Sequence, residues 1–296
     1  MVSKNEIRAF KHLPTTITKL AENLDISKAA SSKIVKRLIK DGLANKNRQG
    51  KKMIVKKENT MHAIELNEII QTFSRLPLEE LLTHSSLTLI SIIDYPLNSE
   101  ELRKSINVTR QWIYKQIKKL SRYGIILKEK NGYIINPTHE KIFRFAKHYH
   151  AYKNYQKIMT VSEDAQILWQ HGNEFLFKTK KDLNKYKKTA VSAFSKFNLP
   201  LLGDTKYYYY TQRKLQTSDI IMHTILINPH SKIYNLYACL LYDKTRPKNI
   251  VKFARLYNLT DHTKEIITFL EKQKSDKKFL PNWDEYEEIV NQYGVI

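Results

Sequence analysis

The chain contains one pattern twice. Shifting the register by 82 residues lays "LAENLDISKAASSKIVKRLIKDGLANK" over "LRKSINVTRQWIYKQIKKLSRYGIILK" without a gap. Leu20 falls on Leu102, Leu24 on Ile106, Ile26 on Val108, Val35 on Ile117, Leu38 on Leu120 and Leu43 on Ile125. Ser27 falls on Thr109, and Gly42 on Gly124. Each match has its own steric cause. Apolar positions at helical spacing bury one face, a hydroxyl before a helix caps its free N–H groups, and Gly after the last turn takes the left-handed conformation that a Cβ resists. Their joint recurrence means that the chain builds one supersecondary unit twice.

In the first copy the spacing predicts a helix over Thr15–Asn23, a turn at Asp25-Ile26-Ser27 with Ser27 as N-cap, and a second helix over Lys28–Lys40 stopped at Gly42. "LANK" and "KMIVKK" follow as two strands around the turn Asn47-Arg48-Gln49-Gly50. The second copy has a shorter hairpin, "IILKE" and "YIIN" around Lys130-Asn131-Gly132. Between the copies, Met61–Arg75 reads as a helix that offers Ile64, Ile69, Ile70 and Phe73 for burial and ends before Pro77. Such a helix either fixes the spacing of the two copies or pairs with another chain.

Two helices at a sharp turn followed by a basic hairpin make a winged helix-turn-helix. The stretches "DISKAASSKIVKRLIKDGL" and "NVTRQWIYKQIKKLSRYGI" resemble winged helix-turn-helix transcriptional regulators of the MarR and ArsR type, over residues 3–58 and 78–137. Proteins of those families normally carry one such unit per chain, so the resemblance implies a fold and DNA binding but transfers no effector site.

Charge agrees with that direction. With 51 Lys+Arg against 29 Asp+Glu, the formal charge is +22, which calls for an anionic partner, nucleic acid first and an acidic membrane surface second. Residues 1–58 carry +10 of it, with +6 on 59–160 and +6 on 161–296. No apolar run approaches the roughly 20 residues of a spanning helix; Leu81–Leu97 is interrupted by His84, Ser85, Ser86 and Asp94. Met1–Leu13 lacks the apolar block of a signal peptide. The single Cys239 can form neither an intrachain disulfide nor a Cys-rich zinc site, so a cytoplasmic protein without metal or cofactor is expected.

With Val35 and Leu38 turned inward, the opposite face of the first recognition helix carries Lys28, Ala29, Ser32, Lys33 and Lys36. The equivalent face in the second copy carries Arg110, Gln111, Tyr114, Lys115 and Lys118. Arg and Gln can pair bidentately with guanine and adenine edges, whereas Lys, Ala and Ser offer point charges and small groups. The second copy is therefore expected to read more sequence and the first to hold more backbone, helped by Arg48, Lys51 and Lys52 in its hairpin and by Lys130 in the other. The competing reading is a solvated lysine face or a protein-docking module. Trp112 and Tyr123 are assigned to packing, and Tyr114 is open either way.

Beyond a helix over Pro137 to about Ile158, with Ile142, Phe145, Ala146 and Tyr149 on one side, the texture becomes α+β. "AQILWQHGNEFLFKT" reads as a hairpin turning at His171-Gly172-Asn173, "TAVSAFSKFNLPLL" as a short helix, and "KYYYYT" as a strand. "TSDIIMHTILI", capped at Thr217 or Ser218, "KIYNLYACLLYDK", "PKNIVKFARLYNL", "DHTKEIITFLEKQ" and "NWDEYEEIVNQYG" read as helices. His171 in a turn, His223 in an apolar helix and His262 at a helix start have little in common, and Asp204, Asp219, Asp243 and Asp261 are scattered. No Gly-rich phosphate loop, H-E-x-x-H, G-x-S-x-G or Cys-His metal spacing occurs, so no catalytic or metal-binding residue is assigned. The element order over Val161–Leu270 resembles the C-terminal domains of AbiEi-type antitoxins and relatives of the nucleotidyltransferase fold. The Gly-Ser with paired aspartates of the active enzymes is absent, so the resemblance implies a non-catalytic partner-binding or regulatory domain.

The sequence thus predicts a mainly α protein with an α+β part. Its expected order is a winged helix at 1–58, a helical connector at 59–77, a second winged helix at 78–138, a linker helix at 139–160 and an α+β domain at 161–296. The expected function is sequence-specific regulation of transcription on double-stranded DNA in a prokaryotic cytoplasm, at the nucleoid when bound. The last domain then serves a homodimer contact, a protein partner or a small effector. The alternatives are a plasmid or viral replication initiator, and, from another class, a nucleic-acid-processing enzyme or an antitoxin-like interaction protein.

Overall fold

The computed structural model describes residues 3–201 and 203–294. It is mixed α and β, with small antiparallel sheets, and divides into two compact units, residues 1–156 and 157–296.

The first unit opens with α1 (Lys4–Lys11), α2 (Ile17–Leu24), α3 (Lys28–Lys40), β1 (Ala44–Gln49) and β2 (Lys52–Lys57). Next come α4 (Met61–Thr72), α5 (Leu78–Leu81), α6 (His84–Ile90), α7 (Ser99–Ser105), α8 (Arg110–Arg122), β3 (Ile126–Glu129) and β4 (Gly132–Ile135). A 3-10 turn over Pro137–His139 leads into α9 (Glu140–Met159).

The 82-residue offset recurs in the backbone. The helix α3 begins and ends 82 residues before α8, and the N-caps Thr16 and Asn98 precede α2 and α7 at the same offset. Asp25 and Asn107 both turn left-handed after those helices, at φ 52° and 51°, and Gly42 and Gly124 do so after α3 and α8, at 66° and 67°. Each hairpin also gains a third partner from the residue before the N-cap of α2 or α7: Thr15 bridges Val55, and Leu97 bridges Tyr133. Leu20, Val35, Leu38 and Leu43 are buried, as are Leu102, Leu120, Ile125 and, largely, Ile117. Each such side chain contributes about 1.5–3 kcal/mol on leaving water.

One hydrophobic cluster runs from Ile7 to Tyr149 and holds both copies together with α4 and α9. Polar ties cross it. Lys11 on α1 pairs with Glu79 on α5 at 2.5 Å. Tyr149 and Lys153 on α9 bond the buried Asp41 carboxylate at 2.7 and 2.6 Å, and Lys147 on the same helix lies 3.6 Å from Asp94.

Several expectations need correction. The first hairpin pairs out to Gln49 and Lys52, so its turn is Gly50-Lys51 and not Asn47–Gly50; Gly50 at φ 57° suits a two-residue turn. In the second hairpin Gly132 belongs to the strand, leaving Lys130-Asn131 as the turn. The connector α4 ends at Thr72 and buries Ala63, Leu66 and Ile69, which rotates Ile64 outward to 42% exposure. The helices α1, α5 and α6 were not anticipated.

The second unit contains β5 (Gln166–His171), β6 (Glu174–Thr179), β7 (Lys187–Lys188), a 3-10 stretch over Ala190–Phe197 and β8 (Lys206–Tyr210). Five helices follow: α10 (Thr217–Ile227), α11 (Lys232–Thr245), α12 (Ile250–Leu256), α13 (Thr260–Lys272) and α14 (Trp283–Tyr293). The four strands form an antiparallel sheet in the order β5-β6-β8-β7. Tyr207, Tyr208 and Tyr209 are all buried, since helices cover one face and Ile158, Phe175 and Phe177 pack on the other. His171 closes β5, so the turn is Gly172-Asn173. The cap of α10 is Gln216 and not Thr217 or Ser218, because the Asp219 carboxylate accepts the Gln216 N–H at 2.8 Å in a reciprocal capping box.

Candidate nucleic-acid interface

The two repeated helices, α3 and α8, are set by the same local chemistry. The Ser27 hydroxyl accepts the Ala30 N–H at 3.2 Å at the start of α3, and the Thr109 hydroxyl accepts the Trp112 N–H at 3.2 Å at the start of α8. The buried Ser31 hydroxyl also donates to the Ile17 carbonyl at 3.1 Å, fixing α3 on α2. Ile34, Val35 and Leu38 seat α3 in the core, and Ile113, Gln116, Ile117 and Leu120 seat α8. Each helix has 13 residues, or roughly 20 Å of axis, a length that fits a major groove.

The faces turned away from the core are open. On α3, Lys28, Ala29, Lys33 and Lys36 are exposed and Ser32 is half-buried; on α8, Arg110, Gln111, Tyr114, Lys115 and Lys118 are exposed. Arg48, Lys51, Lys52 and Lys130 are exposed on the hairpins. The Arg48 Nε donates to the Gly50 carbonyl at 3.2 Å, bracing the first tip. The first hairpin is also the longer, spanning 44–57 against 126–135.

Tyr114, open in the sequence reading, carries the Arg110 guanidinium 5.6 Å above its ring centre. Its hydroxyl raises the Arg110 pKa, and hydrogen bonds from Arg110 and Ser99 hold the Tyr114 hydroxyl below its usual value. The ring gives the arginine a platform on an exposed helix face. Trp112 and Tyr123 are half-buried against the core.

The structure separates lysines that the sequence could not. Lys57 sits 5.1 Å over the Phe10 ring and donates to Asn67 at 2.6 Å. Lys119 donates to the Glu80 carbonyl and to Ser86, and burial lowers its pKa. Lys153 is spent on Asp41. Conversely, Arg37, 64% exposed at the far end of α3 and 3.8 Å from Glu6, was missed although it follows Lys33 at i+4.

In the second unit the scattered polar residues have separate settings. His223 is wholly buried; its Nδ1 takes the Thr189 hydroxyl at 2.6 Å, its Nε2 donates to the Tyr257 hydroxyl at 2.8 Å, and it stacks on Tyr209 at 4.0 Å. Tyr257 donates in turn to Asp219 at 2.6 Å, and Arg213 bonds both Asp219 and Tyr257. Burial pushes the His223 pKa down to about 3, so the imidazole is neutral and the network closes on itself. His262 pairs with Asn235 at 2.6 Å and stacks on Phe279, and burial pushes it down to about 4. Asp243 accepts from Tyr286 at 2.9 Å, Asp261 from Lys264 at 3.1 Å, and Asp204 is exposed. A cavity of about 680 Å³ opens beside Lys187, Lys188, Lys196 and Lys214. Two of these ammonium groups are engaged already, Lys187 with the Thr211 and Arg213 carbonyls and Lys188 with Asp182. Among the described residues no group of three or more His, Cys, Asp or Glu could hold a metal ion, and no helix is long and apolar enough to cross a membrane.

A search of the curated proteins finds no match to this chain. Residues 183–295, within the second unit, match the family model described as HVO_2833_C, C-terminal.

Proposed function

We propose that the first unit binds double-stranded DNA through two winged helix-turn-helix modules, with α3 and α8 as recognition helices, and that the protein is a DNA-binding regulator. The observation that carries this reading is the repeated exposed basic face: the same helix, at the same offset and with the same cap, core and stop glycine, presents cations outward both times. A single lysine-rich face is commonly just solvated. Two such faces, each beside a hairpin whose tip carries Lys or Arg, match what phosphate contact around a groove requires. The second unit is then a partner-binding or regulatory module.

The test is fluorescence anisotropy of labelled 30-base-pair duplexes titrated with the full chain from low to physiological salt. The expected result is a complex whose log affinity falls linearly with log salt, with a slope of several units. Failure to form a complex even at low salt would rule the reading out.

A further inference from the structure

We propose that one chain by itself fills its duplex target, and that this target is asymmetric: a half read by sequence under α8, and a half gripped mainly at phosphates under α3 and its longer hairpin. The inference rests on the DNA-binding reading above and adds the symmetry and stoichiometry of the site.

Because the copies match element by element, their exposed positions can be compared one to one. Lys33 and Lys36 correspond to Lys115 and Lys118, so the cations of the second and third turns are the same in both. The positions in the first five residues of each helix differ in kind: Lys28 against Arg110, Ala29 against Gln111, Ser32 against Tyr114. Residues near the N-terminus of a recognition helix reach base edges, while later ones pass beside the backbone. The repeated part is therefore the part that meets phosphate, and the divergent part is the part that reads. On α8 the reading group is also preset, with Arg110 supported on the Tyr114 ring. On α3 the aligned positions, Lys28 and Ser32, hold neither a guanidinium nor a ring.

The hairpins diverge in the complementary direction. Arg48, Lys51 and Lys52 are exposed on the longer first hairpin with no acid among them, whereas the second exposes Lys128 and Lys130 on either side of the exposed Glu129. Backbone grip is thus concentrated at the copy that reads least. A palindromic site is matched by identical side chains presented twice, as two chains related by a twofold would do. Here a single chain supplies both helices from one hydrophobic cluster, tied across by Lys11–Glu79 and by the bonds of α9 to Asp41 and Asp94. Two unequal readers in a fixed frame specify a site with a direction.

The experiment is selection of duplexes from a random pool by the full chain, followed by native mass spectrometry on the shortest selected duplex that retains full affinity. Expected are a motif without twofold symmetry, one chain per duplex, and base preference concentrated at one end. Arg110→Ala should lower the preference for that end by about 5- to 150-fold, the worth of one bidentate contact, with affinity for unrelated duplex little changed. Lys51→Ala with Lys52→Ala should weaken all sequences alike. An inverted-repeat motif, two chains on the minimal duplex, or retention without any motif would each overturn the inference while leaving DNA binding intact. Retention of no duplex at all would remove the DNA-binding reading together with it.

Discussion

At the scale of single residues, the strongest constraint in the first unit is one that no motif announces. Asp41 caps α3, is almost fully buried, and accepts hydrogen bonds from Tyr149 and Lys153, more than a hundred residues later in the chain. Burial alone pushes its pKa up, but the bonds from Lys153 and Tyr149 outweigh burial and hold it below the ordinary 3.8. Removing one partner of such a pair strands the other, so Asp41→Asn should destabilise the first unit by about 3 kcal/mol, read from the urea midpoint near pH 7. The sign of the pH dependence follows from the lowered pKa. The stabilisation is complete above the unfolded value of about 3.8 and is lost as pH falls through the lower folded value, so the gap between parent and variant should close in that window. A gap that stays constant to pH 2 would show that the charge of Asp41 is not what matters. This contact is not legible in the sequence, because an acid following a lysine-rich helix reads equally well as a solvated C-terminal residue.

At the scale of elements, what repeated was legible and what did not repeat was missed. The bounds of α3, the N-caps Ser27 and Thr109 and the stop glycines Gly42 and Gly124 could be read because each is a local requirement satisfied twice. By contrast α1 and α6, which complete each copy, lie outside the aligned stretch and have little sequence in common. The hairpin turns were misplaced by one to three residues because the first turn has its one left-handed residue at Gly50 and the second has none at Lys130-Asn131, and the basic runs around them have no alternation to fix register. On the candidate faces, exposure of the lysines was legible from helical period, but the use of Tyr114 as a platform needed the rotamer. The two hairpin glycines supply a test of how the third strand partner is seated. A Cβ at Gly132, where φ is 143°, would lie 2.5 Å from the Leu97 backbone, whereas one at Gly50, φ 57°, meets nothing within 4 Å. Gly50→Ala should therefore cost only the left-handed penalty of about 1–2 kcal/mol. Gly132→Ala should cost about 1–3 kcal/mol more, because residue 97 must move off the hairpin. Equal thermal shifts for the two variants would mean that the Leu97–Tyr133 bridge contributes nothing to the fold.

At the scale of the molecule, a formal charge of +22 is uninformative until its members are sorted by what they touch. Lys57, Lys119 and Lys153 belong to the tally of the first unit but are bonded inside it. Lys51 and Lys52 stand exposed at the tip of a hairpin, where no fold contact requires them. Each lysine of either kind replaced by alanine removes one unit of charge, so bulk charge predicts the same effect per residue on polyanion binding for both. Local contact predicts different effects. If the first hairpin lies along phosphates, Lys51→Ala with Lys52→Ala should reduce the slope of log affinity against log salt by up to about two units, since each neutralised phosphate contributes about 0.9. Lys119→Ala should leave that slope unchanged and lower stability, because it removes a bond to the Glu80 carbonyl and to Ser86 and exposes the space it filled. The measurement is the anisotropy titration at four or more salt concentrations with each variant, alongside its urea midpoint. A slope that falls in proportion to the charge removed, about twice as far for the double variant as for Lys119→Ala, would mean that the duplex responds to the field of the whole basic chain and that the hairpin has no place on the backbone.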